Sequence, residues 1–226
     1  MLIRDFLFES VLPEMALPAT WDQSKLSSEQ PNTFKSRLAY LKKQATRIGA
    51  GSSRVAFVVP MDDGTPSVVK IAKNSKGLAQ NEAEISIMND GYFRNMDIIL
   101  PLFDFDDKSS QATWLQTAQA KKVSEKRLAE LLHCPDGVGF FINRVQEAIN
   151  GKTVRWNPND NLSEEDFEER SHYVDELHEI EISTDLMLND LRSPRNWGEY
   201  KGKPVIIDLG FTADVYNQHY SWKRGR

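Results

Sequence analysis

Asn189-Asp-Leu-Arg-Ser-Pro-Arg-Asn-Trp-Gly198, followed after six intervening residues by Val205-Ile-Ile-Asp-Leu-Gly210, brings Asp190, Asn196 and Asp208 within 19 positions. Tyr200-Lys-Gly-Lys203 between them reads as a hairpin turn, flanked by short strands around Trp197-Gly-Glu199 and Val205-Ile-Ile207. The second strand runs directly into Asp208-Leu-Gly210 and so fixes that carboxylate on a rigid element. Two carboxylates and an amide offer the oxygen atoms that a hard cation such as magnesium accepts.

Upstream, Ile48-Gly-Ala-Gly-Ser-Ser-Arg-Val55 stands just before a strand, and its small residues let backbone amides approach phosphate oxygens. Arg54 to Val59 and Ser67 to Ala72 are β-branched runs joined by Met61-Asp-Asp-Gly-Thr-Pro66, the chemistry of a reversing turn. Lys70 interrupts the second run. A lysine there is costly unless it faces solvent or meets an anion. The next segment predicts a helix over Leu78 to Tyr92, with Leu78, Ile85, Met88 and Tyr92 on one face. Glu82 and Glu84 lie on opposite flanks of that stripe, so periodicity does not choose between them as a partner for Lys70. Ile98 to Phe105 and Thr113 to Thr117 read as two further strands around a polar link. Helices are expected over Ser124 to Leu132, within Phe140 to Ile149, and over Ser163 to Ile182, where Ser163 precedes acidic residues in the manner of a cap.

The order of glycine turn, hairpin lysine, helix carboxylate, further strands, helices and a closing Asp…Asn…Asp set resembles the protein-kinase-like superfamily. Within it the chain is most similar to small kinase-like proteins of phages and bacteria, from roughly Arg47 to Thr212. The resemblance implies an α+β, bilobal protein-kinase-like fold. Residues 47–120 would be an antiparallel β-sheet N-lobe with one inserted helix, with a hinge at Thr117-Ala-Gln-Ala120. Residues 121–226 would be a small, mainly helical C-lobe, and residues 1–46 an N-terminal helical extension and tether. It also implies ATP and Mg2+ as cofactors. Gly49, Gly51, Ser52 and Ser53 would surround the phosphates, and Thr117, Ala118 and Gln119 would lie beside adenine. Lys70 would hold the phosphates and pair with a helix glutamate. Glu84 is favoured because Asn81-x-x-Glu84 is similar to the arrangement in small kinase-like proteins. Asp190 would serve the attacking hydroxyl, and Asn196 and Asp208 would hold magnesium.

The function implied is phosphoryl transfer to serine or threonine of a protein, a host protein if the chain is phage-encoded. The departures keep two rivals: a catalytically inactive kinase-like protein that binds a partner, and a small-molecule kinase. Ser53 and Arg54 stand where the phosphate loop would have its third glycine. Leu188-Asn189 replaces the His-Arg pair before the catalytic aspartate, Leu209 replaces a phenylalanine, and the interval from Asp190 to Asn196 is one residue longer than the family's pattern. Only 16 residues follow Gly210, so the peptide-binding segment of ordinary eukaryotic-type kinases is expected to be missing.

Composition narrows the setting. In 226 residues, 33 acidic side chains face 28 basic ones, and the formal charge of −5 disfavours a general nucleic-acid binder. The hydrophobic content of 40% supports a folded body. Cys134 has no partner for an internal disulfide, the four histidines form no metal set, and no apolar run approaches the ~18–20 residues of a membrane span. A cytoplasmic location is therefore expected. Met1 to Leu12 predicts a short amphipathic helix, residues 13–33 a tether, and Phe34 to Ala45 a helix with Phe34, Leu38, Leu41 and Ala45 on one side. Residues 160 to 190 carry 12 acidic side chains and one arginine, a solvated helix face. Trp222 to Arg226 is a basic tail.

Overall fold

The computed structural model describes residues 22–26, 33–61, 63–154 and 163–221. The expected amphipathic helix at Met1 to Leu12 and the basic tail lie outside the described residues. Five strands, β1 (Thr46–Ala50), β2 (Arg54–Pro60), β3 (Pro66–Ala72), β4 (Leu102–Phe105) and β5 (Trp114–Ala118), form one antiparallel sheet in the order β1-β2-β3-β5-β4. Helix α1 (Phe34–Gln44) precedes it and α2 (Ser75–Asn89) is inserted between β3 and β4. The remainder holds α3 (Glu125–Leu131), α4 (Val138–Ile149), α5 (Glu164–Thr184) and α6 (Ala213–His219), with a small sheet of β6 (Lys121–Lys122), β7 (Trp197–Tyr200) and β8 (Lys203–Ile206). The class is α+β, as the sequence indicates.

Strand alternation gives the large sheet two faces. Val55, Phe57, Val59, Val69, Ile71 and Trp114 pack on one side against Leu26 and Leu41, with Phe34, Leu38 and Ala45 of the α1 segment around them. Leu26 and Leu41 are fully buried, which stabilises the fold by about 1.5–3 kcal/mol each. The expectation of a tether therefore fails at Leu26. An apolar side chain between two polar neighbours found a sheet face that the loop-like composition did not reveal. Thr33 caps α1 by accepting from Ser36 N.

The opposite face of the sheet meets α2. This helix starts three residues earlier than periodicity predicts, because Asn74 caps it by accepting from Gly77 N at 3.2 Å. Gly77 is a requirement of close approach: a Cβ there would lie 2.3 Å from Ser53 O. The helix also stops early. Asp90 Oδ1 accepts from the backbone of Tyr92 and Phe93, which turns Phe93 inward and leaves Tyr92 64% exposed rather than on the buried stripe.

The main core joins α2 and the 96–100 segment to the helices: Ile87, Met88 and Ile98 to Leu100 pack with Phe141, Ile142, Val145, Val174, Leu177 and Ile180. Ile98 to Leu100 is not a strand, contrary to its composition. The backbone N–H groups of Asp97 and Ile98 donate to the Glu176 carboxylate at 2.8 and 3.2 Å instead of to a neighbouring strand, and Ile99 makes a single bridge to Ile206. Glu176 is thus a buried member of a helix otherwise read as a solvated acidic face. Ser163 and Asp166 cap α5 reciprocally. The β7–β8 turn places Lys201 and Gly202 at φ 51° and 82°, the pair of positive values that a type I′ hairpin uses. Three of the named strands and helices have no counterpart in the sequence reading: β1, which absorbs the first half of the glycine turn, the short β6, and α6, which follows Gly210.

Candidate functional site

Lys70 sits mid-strand in β3, opposite Ala56 of β2 and Leu115 of β5. With Val69 and Ile71 committed to the α1 side, period two sends Lys70 to the α2 side, where it is 8% exposed. The same alternation in β2 sends Arg54 there too, since Val55, Phe57 and Val59 face α1. Two cations thus enter one buried layer. Helix α2 answers with a polar stripe of buried Gly77, Gln80, Asn81 and Glu84, spaced three and four apart. Gln80 Oε1 accepts from Ser53 Oγ at 2.5 Å, and Asn81 Nδ2 donates to Ala112 O at 3.0 Å.

Glu84 is fully buried and accepts from both cations, from Lys70 Nζ and from Arg54 Nη1 at 2.5 Å. Glu82, the other candidate, faces away and accepts from the backbone of Ala112. Lys70 Nζ also donates to Ile207 O at 2.6 Å, one residue before Asp208. Arg54 Nη2 reaches Asp208 Oδ1 at 2.5 Å, and the same oxygen accepts from Gly210 N at 3.2 Å, closing a local turn. Gly210 packs on α2 so tightly that a Cβ would sit 2.8 Å from Gln80 O.

The loop on the other side of Asp208 is tied in by its backbone. Ile207 N donates to Asn196 O at 2.9 Å. Asn196 Nδ2 donates to both Asp190 O and Asp190 Oδ2 at 2.8 Å. Two consecutive 3-10 turns, Asp190–Arg192 and Pro194–Asn196, carry the chain between them, and Trp197 Nε1 pins the loop by donating to Leu191 O at 2.8 Å. Lys70, Glu84, Asp190, Asn196 and Asp208, scattered over the chain, therefore belong to one connected constellation.

The electrostatics follow from this crowding. Burial opposes the charge of Asp208, but Arg54 and then Lys70 outweigh it and hold the carboxyl below its usual range. Burial likewise opposes the charge of Arg54, and Asp208 and Glu84 outweigh it. Asp190 goes the other way: burial, reinforced by the Asp208 charge, raises it above the ordinary carboxylate range against the pull of Arg195. Burial and then the Asp208 carboxylate also push up Tyr220, just after α6, whose ring lies 4.3 Å from Lys76 Nζ.

Other predicted positions are less uniform. Gly49, Gly51 and Ser52 are exposed at the β1–β2 turn, which Lys73 Nζ and Asn74 Nδ2 brace by donating to Gly51 O and Ser52 O. Ser53 is not part of that open edge, because its hydroxyl points inward to Gln80. Thr117 and Ala118 are buried in β5. Gln119 Oε1 is buried without a hydrogen-bond partner among the described residues. The sequence reading missed Arg54, Gln80 and Asn81 as members of the cluster. Counting alternate residues from Val55, Phe57 and Val59 places Arg54 beside Lys70 and could have found the first.

Among the described residues no group of three or more His, Cys, Asp or Glu side chains is arranged to hold a metal alone, and no helix is long and apolar enough to cross a membrane. A concavity of about 760 Å3 lined by Glu125, His133, Asp136 and Asp166, among others, lies on the helical part and includes none of the residues above. No known family model matches the chain, and no curated protein matches it.

Proposed function

We propose that this chain is an ATP- and magnesium-dependent phosphotransferase of minimal, bilobal protein-kinase-like fold that acts on serine or threonine of a protein. The observation that carries the reading is the double engagement of Lys70, which donates to Glu84 on α2 and to Ile207 O beside Asp208. It joins the sheet, the inserted helix and the Asp190–Asn196 loop at one point. In this reading the sheet over 47–120 roofs the nucleotide and residues 121–226 form the second lobe.

The donor set suits magnesium, which takes one or two carboxylates and completes its shell with phosphate and water. Asp208 supplies a carboxylate whose side chain is 38% exposed, and Asn196, with its Nδ2 held by Asp190, retains an amide oxygen. Bound there, the ion would neutralise charge on the transferred phosphoryl group. Lys70 meets the phosphates from the sheet. Asp190, fixed by Asn196, orients the acceptor hydroxyl and takes its proton, a task that a raised carboxylate pKa suits. Gln119, one residue beyond β5, carries a buried Oε1 without a hydrogen-bond partner among the described residues, which would accept from a base amine. The longer Asp190-to-Asn196 interval is absorbed by the two 3-10 turns, and the amide still reaches Asp190.

One observation favours the rival of a non-catalytic kinase-like binding protein: Arg54 occupies an oxygen of the metal-binding Asp208. Asp190→Asn separates the readings. Its oxygen still accepts from Asn196, so the fold should persist while label transfer from ATP to protein is lost. Asp190 titrates high, so its contribution to stability is present below the ordinary carboxylate range and lost as pH rises through its raised value. At pH 7 Asp190→Asn should therefore be more stable than wild type, with the gain disappearing below pH ~4. Equal labelling by both proteins, with magnesium and a cell extract, sinks the phosphotransfer reading.

A further inference from the structure

We propose that Arg54 replaces one metal ion at Asp208, so that the site holds a single divalent cation with its nucleotide. The inference rests on the phosphotransfer reading and specifies the cation requirement of the same site. Arg54 stands on β2 with 9% of its side chain exposed and is held at both ends, Nη1 by Glu84 Oε2 and Nη2 by Asp208 Oδ1, each at 2.5 Å. A third contact, Nη1 to Asn81 Oδ1 at 3.4 Å, comes from the next polar position of the α2 stripe. Arg54 is thus braced by α2 from behind while it faces Asp208.

A carboxylate serves two metal ions most readily by turning one oxygen to each. That arrangement is closed to Asp208 as it stands. Oδ1 already accepts from Arg54 and from Gly210 N, which leaves Oδ2 for a cation. A guanidinium cannot lose its proton to make way, and in a buried layer its repulsion of a second dication is weakly screened. The other oxygen donors do not compensate. Asp190 is committed to Asn196 through Oδ2, and Asn196 offers only its amide oxygen. No cluster of three or more His, Cys, Asp or Glu side chains supplies further negative charge among the described residues. Lys70, Arg54, Glu84 and Asp208 balance one another in charge, so the fixed positive charge that a second ion would bring to Asp208 is already built into β2.

Manganese counts the ions directly. With a non-hydrolysable ATP analogue at saturation, electron paramagnetic resonance of free Mn2+ should show one ion bound per wild-type chain. Arg54→Met, which fills much of the same space without charge and leaves Oδ1 with only the Gly210 N contact, should bind two. Two ions on the wild-type chain, or one on both proteins, overturns the inference while leaving nucleotide binding and transfer intact. Failure of the wild-type chain to bind the analogue removes the phosphotransfer reading and this inference together. Should circular dichroism show that Arg54→Met does not fold, the wild-type count decides: one ion supports the replacement and two contradict it.

Discussion

Replacing Glu84 with alanine is expected to cost the fold about 3–5 kcal/mol, the scale seen when one partner of a buried ion pair is removed. Glu84 is fully buried and accepts from two cations. Its loss leaves Lys70 and Arg54 side by side in a desolvated layer, with Ile207 O, Asp208 and the long contact to Asn81 as their remaining partners. For a chain of this length that corresponds to a fall in Tm of about 6–20 °C, measurable by circular dichroism. Coupling makes the prediction specific. Lys70→Met should be less destabilising in the Glu84→Ala background than in wild type, by more than about 1 kcal/mol, because the unpaired cation goes with it. Additive effects would show that the contact between Lys70 and Glu84 contributes little.

Asp208→Asn should lower phosphoryl transfer by about 10^2–10^3-fold or more, since removing one charge-stabilising group from a preorganised site has that effect. The amide keeps the shape and can still accept from Gly210 N, so the loss is one of charge. Stability should change with a definite pH dependence. The Asp208 carboxyl titrates below its usual range, so its contribution is present above pH ~4 and is lost as pH falls through its lowered value. Wild type should exceed Asp208→Asn in stability at pH 7, and the two should converge in acid. This is the opposite sense to Asp190→Asn, and urea titrations of both variants at pH 7 and pH 3 test the pair together. A gain in stability at pH 7 for Asp208→Asn would contradict the ion pair with Arg54.

Elements with strong local periodicity were legible in the sequence. The β2–β3 hairpin, α1, α4 and α5 announce themselves through alternate or three-and-four spacing and, for α5, a serine cap. Local pattern does not suffice where long-range contacts decide. Ile98 to Leu100 has strand composition, yet its backbone donors go to Glu176, 78 positions away for Ile98. Leu26 is buried by a sheet that starts 20 residues later, which no local pattern encodes. At the site, Lys70 and Asp208 stand out because a charge interrupts or ends an apolar run. Arg54 does not stand out: it opens its strand, where a basic residue is ordinary, and its partner Asp208 is 154 positions distant. The polar stripe of α2 was hidden for a related reason. Gln80, Asn81 and Glu84 occupy the buried face of that helix, whereas periodicity searches for apolar residues there.

Enclosure of a nucleotide's charged end by these residues is open to a simple test: thermal unfolding of the purified chain with and without ATP and magnesium. A ligand that binds only the folded state at 100 times its dissociation constant stabilises by about 2.7 kcal/mol, or about 5–11 °C for a chain of this size. Wild type should show such a rise, and Lys70→Met should lose it. An unchanged wild-type Tm at millimolar ATP and magnesium would contradict it.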